Sequence, residues 1–169
     1  MVGPMKALND DLMRLMVREL EGFKREIALF PDDESAWRTL PGITNSSANL
    51  ALHVAGSLQH FVGAVLGNTG YVRNRALEFS RRAGARSEVI AELDRAIATV
   101  RQVMTRVGED LSGQFAPPII DAPIGIRTFL IHLCAHAALH LGQAGYLRRA
   151  LTADSTSSGP APFTPLVSP

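Results

Sequence analysis

The spacing of apolar residues constrains the fold of this chain more than any other feature. Apolar side chains recur three and four positions apart in four separate segments, which puts them on one face of an α-helix. No segment keeps the alternation of apolar and polar residues that a half-buried β-strand requires. Connections rich in glycine and proline separate the segments. The pattern predicts an all-α protein, a four-helix bundle with long crossover connections.

Caps, glycines and prolines give approximate bounds for the four helices. The first ends before Pro31, because proline cannot continue a helix. The second begins behind Asn45, Ser46 or Ser47, each of which is a suitable N-cap, and the third follows Ser87. The predicted helices span about residues 6–29, from these caps to 66, from 88 to a stop at Gly108, and 126–151.

The connections and the tail differ in composition from the helices. Trp37 in the first connection is large and apolar, so we expect it to hold that loop against the bundle. The second connection, residues 71–86, is basic, and the third, 108–125, has too many prolines and glycines to be helical throughout. We assign residues 1–151 to one bundle domain and 152–169 to an irregular tail rich in serine and proline.

The composition excludes several classes of protein. Seventeen basic and sixteen acidic residues give a net charge of +1, which is not the basic surplus of a nucleic-acid-binding protein. Cys134 is the only cysteine, so a disulfide framework is excluded, and we interpret it as a packed core residue. No segment resembles a membrane span, and acidic residues come too early for a secretory signal. We expect a cytoplasmic protein that binds neither nucleic acid nor a membrane.

The candidate chemistry lies in five histidines, all within two predicted helices. Residues four apart share one helical face, so His136 can bind an ion together with either His140 or His132. The latter two lie about 80° apart around the helix, so we expect only one of them to join His136. A third imidazole would come from His53 or His60, which share a stripe on the second helix. Three imidazoles with an open fourth position are the ligand set of a catalytic zinc.

Spacing alone does not separate such a metal site from a set of hydrogen-bonded core histidines. It does exclude two other metal designs. No glutamate has a histidine three residues later, as a di-iron bundle requires. Ala137 follows His136, where a zincin has glutamate.

Two regions resemble the DinB-like superfamily of bacterial four-helix bundles, also called YfiT-like. They are ITNSSANLALHVAGSLQHFVGAVLG with GYVRNRALEF behind it, and IHLCAHAALHLGQAGYLRR near the end of the chain. This family carries one histidine in its second helix and H-x-x-x-H followed by Gly-Gln in its fourth, and binds a divalent metal through the three histidines. The resemblance covers about residues 6–151 and falls on His53, His136 and His140, with Gly142–Gln143 as the Gly-Gln pair.

The resemblance implies a divalent metal, with zinc or nickel as the first candidates. Some members are thiol S-transferases that use a low-molecular-weight bacterial thiol such as bacillithiol or mycothiol, and others resemble metal-dependent hydrolases. His60, His132 and Gln143 become candidates for the surroundings of the metal or its pocket.

The basic connection contributes further candidates. In one interpretation Arg73, Arg75 and Glu78 border the pocket mouth, where arginine would bind an anionic substrate or thiol cofactor. In the other the segment is a solvated loop closed by its own ion pairs. The segment resembles a subgroup that carries aspartate after the second arginine, where this chain has Ala76.

Three classes of function remain open from the sequence. The first is a metal-dependent enzyme acting on a small molecule, with thiol S-transfer ahead of hydrolysis. The second is a non-catalytic metal-binding stress or interaction protein, and the third is a metal-free helical bundle that dimerises. We expect a homodimer, because the first and fourth helices carry apolar residues on both sides and homodimers are the commonest closed assembly.

Overall fold

Helices make up nearly all the regular structure of the chain. The structure is a computed structural model that describes residues 4–107, 111–115 and 122–158, with residues 163 and 166. Among these residues it contains no strand, only an isolated bridge between Gln114 and Gly125. The all-α prediction is confirmed. The helices are α1 (Pro4–Ala28), α2 (Ser47–Leu58), α3 (Arg75–Ser80), α4 (Arg86–Met104) and α5 (Ile126–Thr152).

The four long helices enclose one apolar core. Each of α1 and α2 packs against both α4 and α5. The predicted stripe of α1 is completely buried at its centre, in Met16, Leu20, Phe23 and Ile27. Burial of such stripes supplies most of the stability of a bundle, so the helices that carry the histidines are held at fixed positions.

The second predicted helix is not one continuous α-helix. Ser46 is its N-cap, because the Ser46 hydroxyl accepts from the Asn49 N–H while the Asn49 side chain accepts from the Ser46 N–H. After Leu58 the chain continues as a π-helical segment, Gln59–Leu66. Over eight residues, the apolar pattern does not distinguish a π-helix from an α-helix. Such segments are frequent at functional sites.

The basic connection contains a short helix, α3, which the sequence did not predict. The Asn74 side chain caps α3 by accepting from the Leu77 N–H at 3.0 Å. The buried Asn49 amide of α2 donates to the carbonyls of Glu78 at 2.8 Å and Arg81 at 2.9 Å. A six-residue helix is not stable alone, so α3 depends on these tertiary bonds, which local sequence does not reveal.

The remaining boundaries differ slightly from the prediction. The N-cap of α4 is Ala85 rather than Ser87, and Gly108, the predicted stop of this helix, lies outside the described residues. Trp37 is buried and its Nε1–H donates to the Gly84 carbonyl at 2.7 Å, which confirms that it holds the first connection against the bundle. None of the described helices is long and apolar enough to cross a membrane.

The beginning of the tail lies against a buried ion pair. Arg148 of α5 donates from Nε to Glu26 Oε2 of α1 at 2.7 Å, and both side chains are buried. The tail returns to this pair, since the Thr156 carbonyl accepts from Arg148 and the Ser158 N–H donates to Glu26. Residues 153–158 have no regular structure, and Phe163 is exposed. The tail positions 159–162, 164–165 and 167–169 lie outside the described residues.

Candidate metal centre

Three imidazoles converge where α2 faces α5. His53 of α2 and His140 of α5 each bring Nε2 to 3.1 Å from the Nε2 of His136. All three nitrogens lie within 4.8 Å of one another. Nitrogen ligands of a tetrahedral zinc lie about 3.3 Å apart, given Zn–N bonds of about 2.05 Å. The arrangement therefore has nearly the size that a single ion requires.

The Glu78 carboxylate fixes the proton of His53 on Nδ1. This nitrogen lies 3.0 Å from Glu78 Oε2, and an ionised carboxylate can only accept a hydrogen bond. Burial by itself raises the pKa of Glu78, but the hydrogen bonds from His53 and Arg73 outweigh it and hold the pKa below its ordinary value. His53 Nδ1 therefore carries the hydrogen, and Nε2 turns its lone pair toward His136.

Arg73 holds that carboxylate in place. Its Nε donates to Glu78 Oε1 at 2.7 Å and its Nη2 donates to Glu78 Oε2 at 2.8 Å, a bidentate ion pair. The second hydrogen of Nη2 points to the His53 carbonyl at 3.4 Å. Both hydrogens of Nη2 are thus used on oxygen atoms, although His53 Nδ1 lies only 3.2 Å away. The Arg73 guanidinium therefore affects the orientation of His53 indirectly, by holding the Glu78 carboxylate that binds His53 Nδ1.

Gln143 has the same effect on His140 that Glu78 has on His53. His140 Nδ1 donates to Gln143 Oε1 at 2.7 Å, so the lone pair of His140 Nε2 also points toward His136. The Nε2 of His136 can donate a hydrogen to only one of its two neighbours. Lone pairs therefore face one another at the centre, and a cation relieves this conflict. Hydrogen-bonded partners such as those behind His53 and His140 are the usual support of a metal ligand.

The environment favours the neutral imidazoles of His136 and His140. Burial, followed by the neighbouring His140 and His53, lowers the pKa of His136 to about 4. Burial also lowers the pKa of His140. A metal binds the neutral form of histidine, so these ligands are ready to bind a cation at neutral pH.

Two further residues support the centre, and sequence reasoning had not selected them. Gly56 lies three residues after His53, and a Cβ at this position would collide with the Glu78 carboxylate. Only glycine therefore allows Glu78 to approach the backbone of α2 so closely. Phe79 packs on the His53 ring, with 4.6 Å between ring centroids. The sequence signal that could have selected Gly56 is the presence of a glycine in the middle of a predicted helix.

His60 and His132 lie outside the three-histidine group. His132 is exposed, and its ring centroid is 5.8 Å from that of His136. His60 lies seven residues after His53, which is about 10 Å along the helix, too far to share one ion. Its ring packs on Phe61, and its Nδ1 is buried with no hydrogen-bond partner among the described residues.

Each of the two interpretations of the basic connection is correct for part of this segment. Arg73 and Glu78 form an internal ion pair, but this pair contacts a candidate ligand, which a simple solvated loop would not do. Arg75 is exposed and lies over the Phe79 ring, 5.2 Å from its centroid. Ala76, which replaces the aspartate of the related subgroup, is exposed.

An aromatic cluster forms one wall beside the histidines. Phe61 of the π-helical segment packs edge-on against Phe129, with 4.8 Å between centroids, and Phe115 packs against Phe129 at 4.7 Å. The Arg73 guanidinium lies 5.9 Å from the Phe61 centroid, and the His132 ring lies 5.5 Å from that of Phe129. The aromatic cluster therefore extends from the Arg73–Glu78 ion pair to His132 at the exposed edge of the site.

The thiol of Cys134 is not part of this site. Its Sγ lies 3.8 Å from the Leu12 carbonyl, between α5 and α1. Burial, and then the charge of Glu19, raises the pKa of this thiol to about 12. The thiolate is the reactive form of cysteine, so Cys134 is inert at neutral pH.

A family model described as mycothiol S-transferase matches residues 12–153. This span contains the three histidines together with Arg73, Glu78 and Gln143. No curated protein matches the chain.

Proposed function

The chain belongs to the mycothiol S-transferase family, and we propose that it transfers the sulfur of a low-molecular-weight thiol to an electrophilic small molecule. A divalent metal held by His53, His136 and His140 would serve this reaction. The observation that carries the proposal is the convergence of three imidazole Nε2 atoms, with the lone pairs of His53 and His140 both turned toward the Nε2 of His136.

The donor set favours zinc, with nickel as the second candidate. Both metals accept imidazole nitrogen, and three neutral ligands leave the full charge of the dication at the site. When bound, such a cation lowers the pKa of a thiol nearby and so raises the fraction of reactive thiolate. Three protein ligands also leave room for a fourth group, which a structural site with four ligands does not.

The sulfur must come from a bound thiol rather than from the protein. Cys134 is the only cysteine, and its buried thiol has a raised pKa of about 12. In the proposed reaction the thiol sulfur forms a bond to carbon while the bond from that carbon to its leaving group breaks. The thiol proton passes to water, and the leaving group departs with the bonding electrons, so no oxidant or reductant is needed.

The chain's own residues position the reactants. Glu78 and Gln143 hold the imidazoles, and Arg73 keeps the Glu78 carboxylate ionised and in place. We place the substrate on the side of His132, where the site is exposed and Phe61 offers an apolar wall. This placement suits an electrophile with an apolar part.

The test is a conjugation assay on the full chain loaded with zinc. Monobromobimane serves as the electrophile, and mycothiol is compared with cysteine and with no thiol. We expect acceleration with mycothiol, and a rate at least about 100-fold lower in His136→Ala or after chelation. A zinc-loaded protein that accelerates none of these reactions would overturn the proposal. Cleavage of an ester substrate without any thiol would instead identify a hydrolase.

A further inference from the structure

Asn49 is a buried residue of α2 whose side chain makes every hydrogen bond that an amide can make. Only 1% of its surface is exposed. Its Oδ1 accepts from the Ser46 N–H at 3.2 Å and from the Ser46 hydroxyl at 2.7 Å. Its Nδ2 donates to the carbonyls of Glu78 at 2.8 Å and Arg81 at 2.9 Å. Because a carbonyl can only accept and a backbone N–H can only donate, this network fixes the orientation of the amide.

The cap of α2 does not by itself explain Asn49. A capping box usually has glutamate or glutamine at this position, and the atom that caps the helix is the side-chain oxygen. The amide nitrogen of Asn49 is turned the other way, toward α3, and takes no part in the cap. Asn49 therefore has two separable roles, since its oxygen caps α2 and its nitrogen binds α3.

Asn49 and His53 attach Glu78 to α2 at two points. Asn49 binds the Glu78 carbonyl, and His53, four residues later on the same helical face, binds the Glu78 carboxylate through Nδ1 at 3.0 Å. The Arg81 carbonyl also accepts from the exposed Arg82 side chain at 2.9 Å, so the bond from Asn49 to the Glu78 carbonyl matters more. A long side chain has many rotamers, so a carboxylate is placed precisely only when its backbone is also held.

The contacts that hold α3 are mainly polar. Leu77 is 52% exposed, and Phe79 packs on the His53 ring. Neither side chain belongs to the apolar core of the described residues. Apolar burial therefore does not replace the bonds from Asn49 when they are lost, and α3 shifts while the four long helices keep their core.

We infer that Asn49 is a positioning residue of the three-histidine group, because it holds the backbone of Glu78 where the carboxylate meets His53 Nδ1. The inference rests on the metal centre of the proposed function, but it concerns His53 before any metal binds. The amide nitrogen of Asn49 thus helps to decide whether His53 presents the lone pair of Nε2 to a cation.

The first test determines the His53 tautomer in the full-length, metal-free chain by NMR of the imidazole nitrogens. Asn49→Asp keeps an oxygen that caps α2 but cannot donate to the Glu78 carbonyl, and Asn49→Ser removes the amide without adding a charge. The hydrogen should lie on Nδ1 in the unaltered chain and should move largely to Nε2 in both variants. Retention of the Nδ1 hydrogen in both variants would overturn the inference. Loss of the fold in both would also overturn it, because Asn49 would then serve general stability.

Ser46→Ala is the matched control, because it removes the hydroxyl of the cap and leaves the Asn49 amide nitrogen on α3. We expect lower thermal stability, as for other lost caps, with the His53 hydrogen still on Nδ1. A Ser46→Ala protein that loses this hydrogen as Asn49→Asp does would assign the effect to the cap and overturn the inference.

The second test measures zinc affinity by competition with a chromophoric chelator. Asn49→Asp should bind zinc about 10-fold less tightly than the unaltered chain, whereas Ser46→Ala should leave the affinity unchanged. Asn49→Asp added to Glu78→Ala should lower the affinity no further, because Asn49 acts through Glu78. Additive effects of the two substitutions would overturn the inference.

The two tests separate this inference from the proposed function. A chain that shows the expected tautomers and zinc affinities but accelerates no conjugation would overturn the proposed function alone. An unaltered chain that binds no zinc would overturn the metal centre, while the tautomer of His53 would still decide the role of Asn49.

Discussion

Glu78 accepts a hydrogen bond from His53 across 25 positions of sequence, and this contact decides which nitrogen of His53 faces the centre. The distance from Nδ1 to Oε2 is 3.0 Å, and Arg73 holds the same carboxylate from the other side. A short helix absent from the predicted fold supplies Glu78. The orientation of His53, a candidate ligand on α2, thus depends on an element that is stable only in the folded protein.

Removing the carboxylate should weaken metal binding without removing a ligand. In Glu78→Ala the His53 ring loses its acceptor, so we expect zinc affinity to fall about 10- to 100-fold. Glu78→Gln should be milder, because its amide oxygen still accepts from Nδ1. Competition with a chromophoric chelator measures the affinity, and circular dichroism checks the fold. The surface change Glu88→Gln is the control, and an affinity for Glu78→Ala equal to that of the control would contradict the role of Glu78.

His136 lies at the centre of the three-histidine group, so we expect its loss to abolish metal binding. His136→Ala should retain the helix content of the parent, because buried apolar stripes rather than the histidines stabilise the bundle. His132→Ala is the matched control, since this histidine lies on the same helix one turn earlier but outside the group. Elemental analysis of untagged protein gives the occupancy. A His136→Ala protein that keeps its zinc would show that other ligands bind it.

Gly56→Ala should be harmful, although alanine normally favours a helix by about 1 kcal/mol over glycine. The added methyl group collides with the Glu78 carboxylate and pushes it from His53. We expect lower thermal stability and a zinc affinity close to that of Glu78→Ala. A more stable protein with unchanged zinc affinity would mean that Glu78 does not need its close approach to α2.

Acid should destabilise the fold through Glu26. Burial alone raises the pKa of Glu26, but hydrogen bonds from Ser158 and Arg148 outweigh it and leave the pKa below its ordinary value. A lowered folded pKa stabilises the protein above the unfolded pKa of about 4.3, and this stability is lost as the pH falls through the folded pKa.

Glu26→Gln should therefore cost about 3 kcal/mol at neutral pH and flatten the dependence of stability on pH below about pH 4.5. Urea unfolding between neutral and acid pH measures both effects. Glu88→Gln, on the surface, provides the comparison. If the stability of Glu26→Gln falls as steeply below about pH 4.5 as that of the parent protein, carboxyl groups other than Glu26 cause the loss.

The Cys134 thiol should react only slowly in the folded protein. Its raised pKa of about 12 predicts slow labelling by iodoacetamide at pH 8 in the native protein and fast labelling after unfolding. Cys134→Ala should retain the thiol-dependent activity in the conjugation assay. Loss of activity with an intact fold would place the sulfur nucleophile in the protein rather than in a bound thiol.

The number and approximate bounds of the long helices follow from the sequence, because apolar residues three to four positions apart mark the buried face of a helix. Trp37 and the cap at Ser46 were also identifiable, since large apolar side chains and caps act locally, but the cap predicted at Ser87 was wrong and lies at Ala85. The short helix α3 and the π-helical Gln59–Leu66 were not. The first depends on the Asn49 amide of another helix, and the second has the same apolar pattern as an α-helix.

That His136 and His140 share a helical face follows from the sequence, because helical hydrogen bonds fix the spacing of residues four apart. It left open whether His53 or His60 meets them, and only the resemblance to a family selected His53. Packing of the helices selects His53 and brings Glu78 and Arg73 behind it, where Gly56 leaves room for the Glu78 carboxylate. A helix has a fixed internal geometry, whereas its register against a neighbouring helix is set by packing across the whole core.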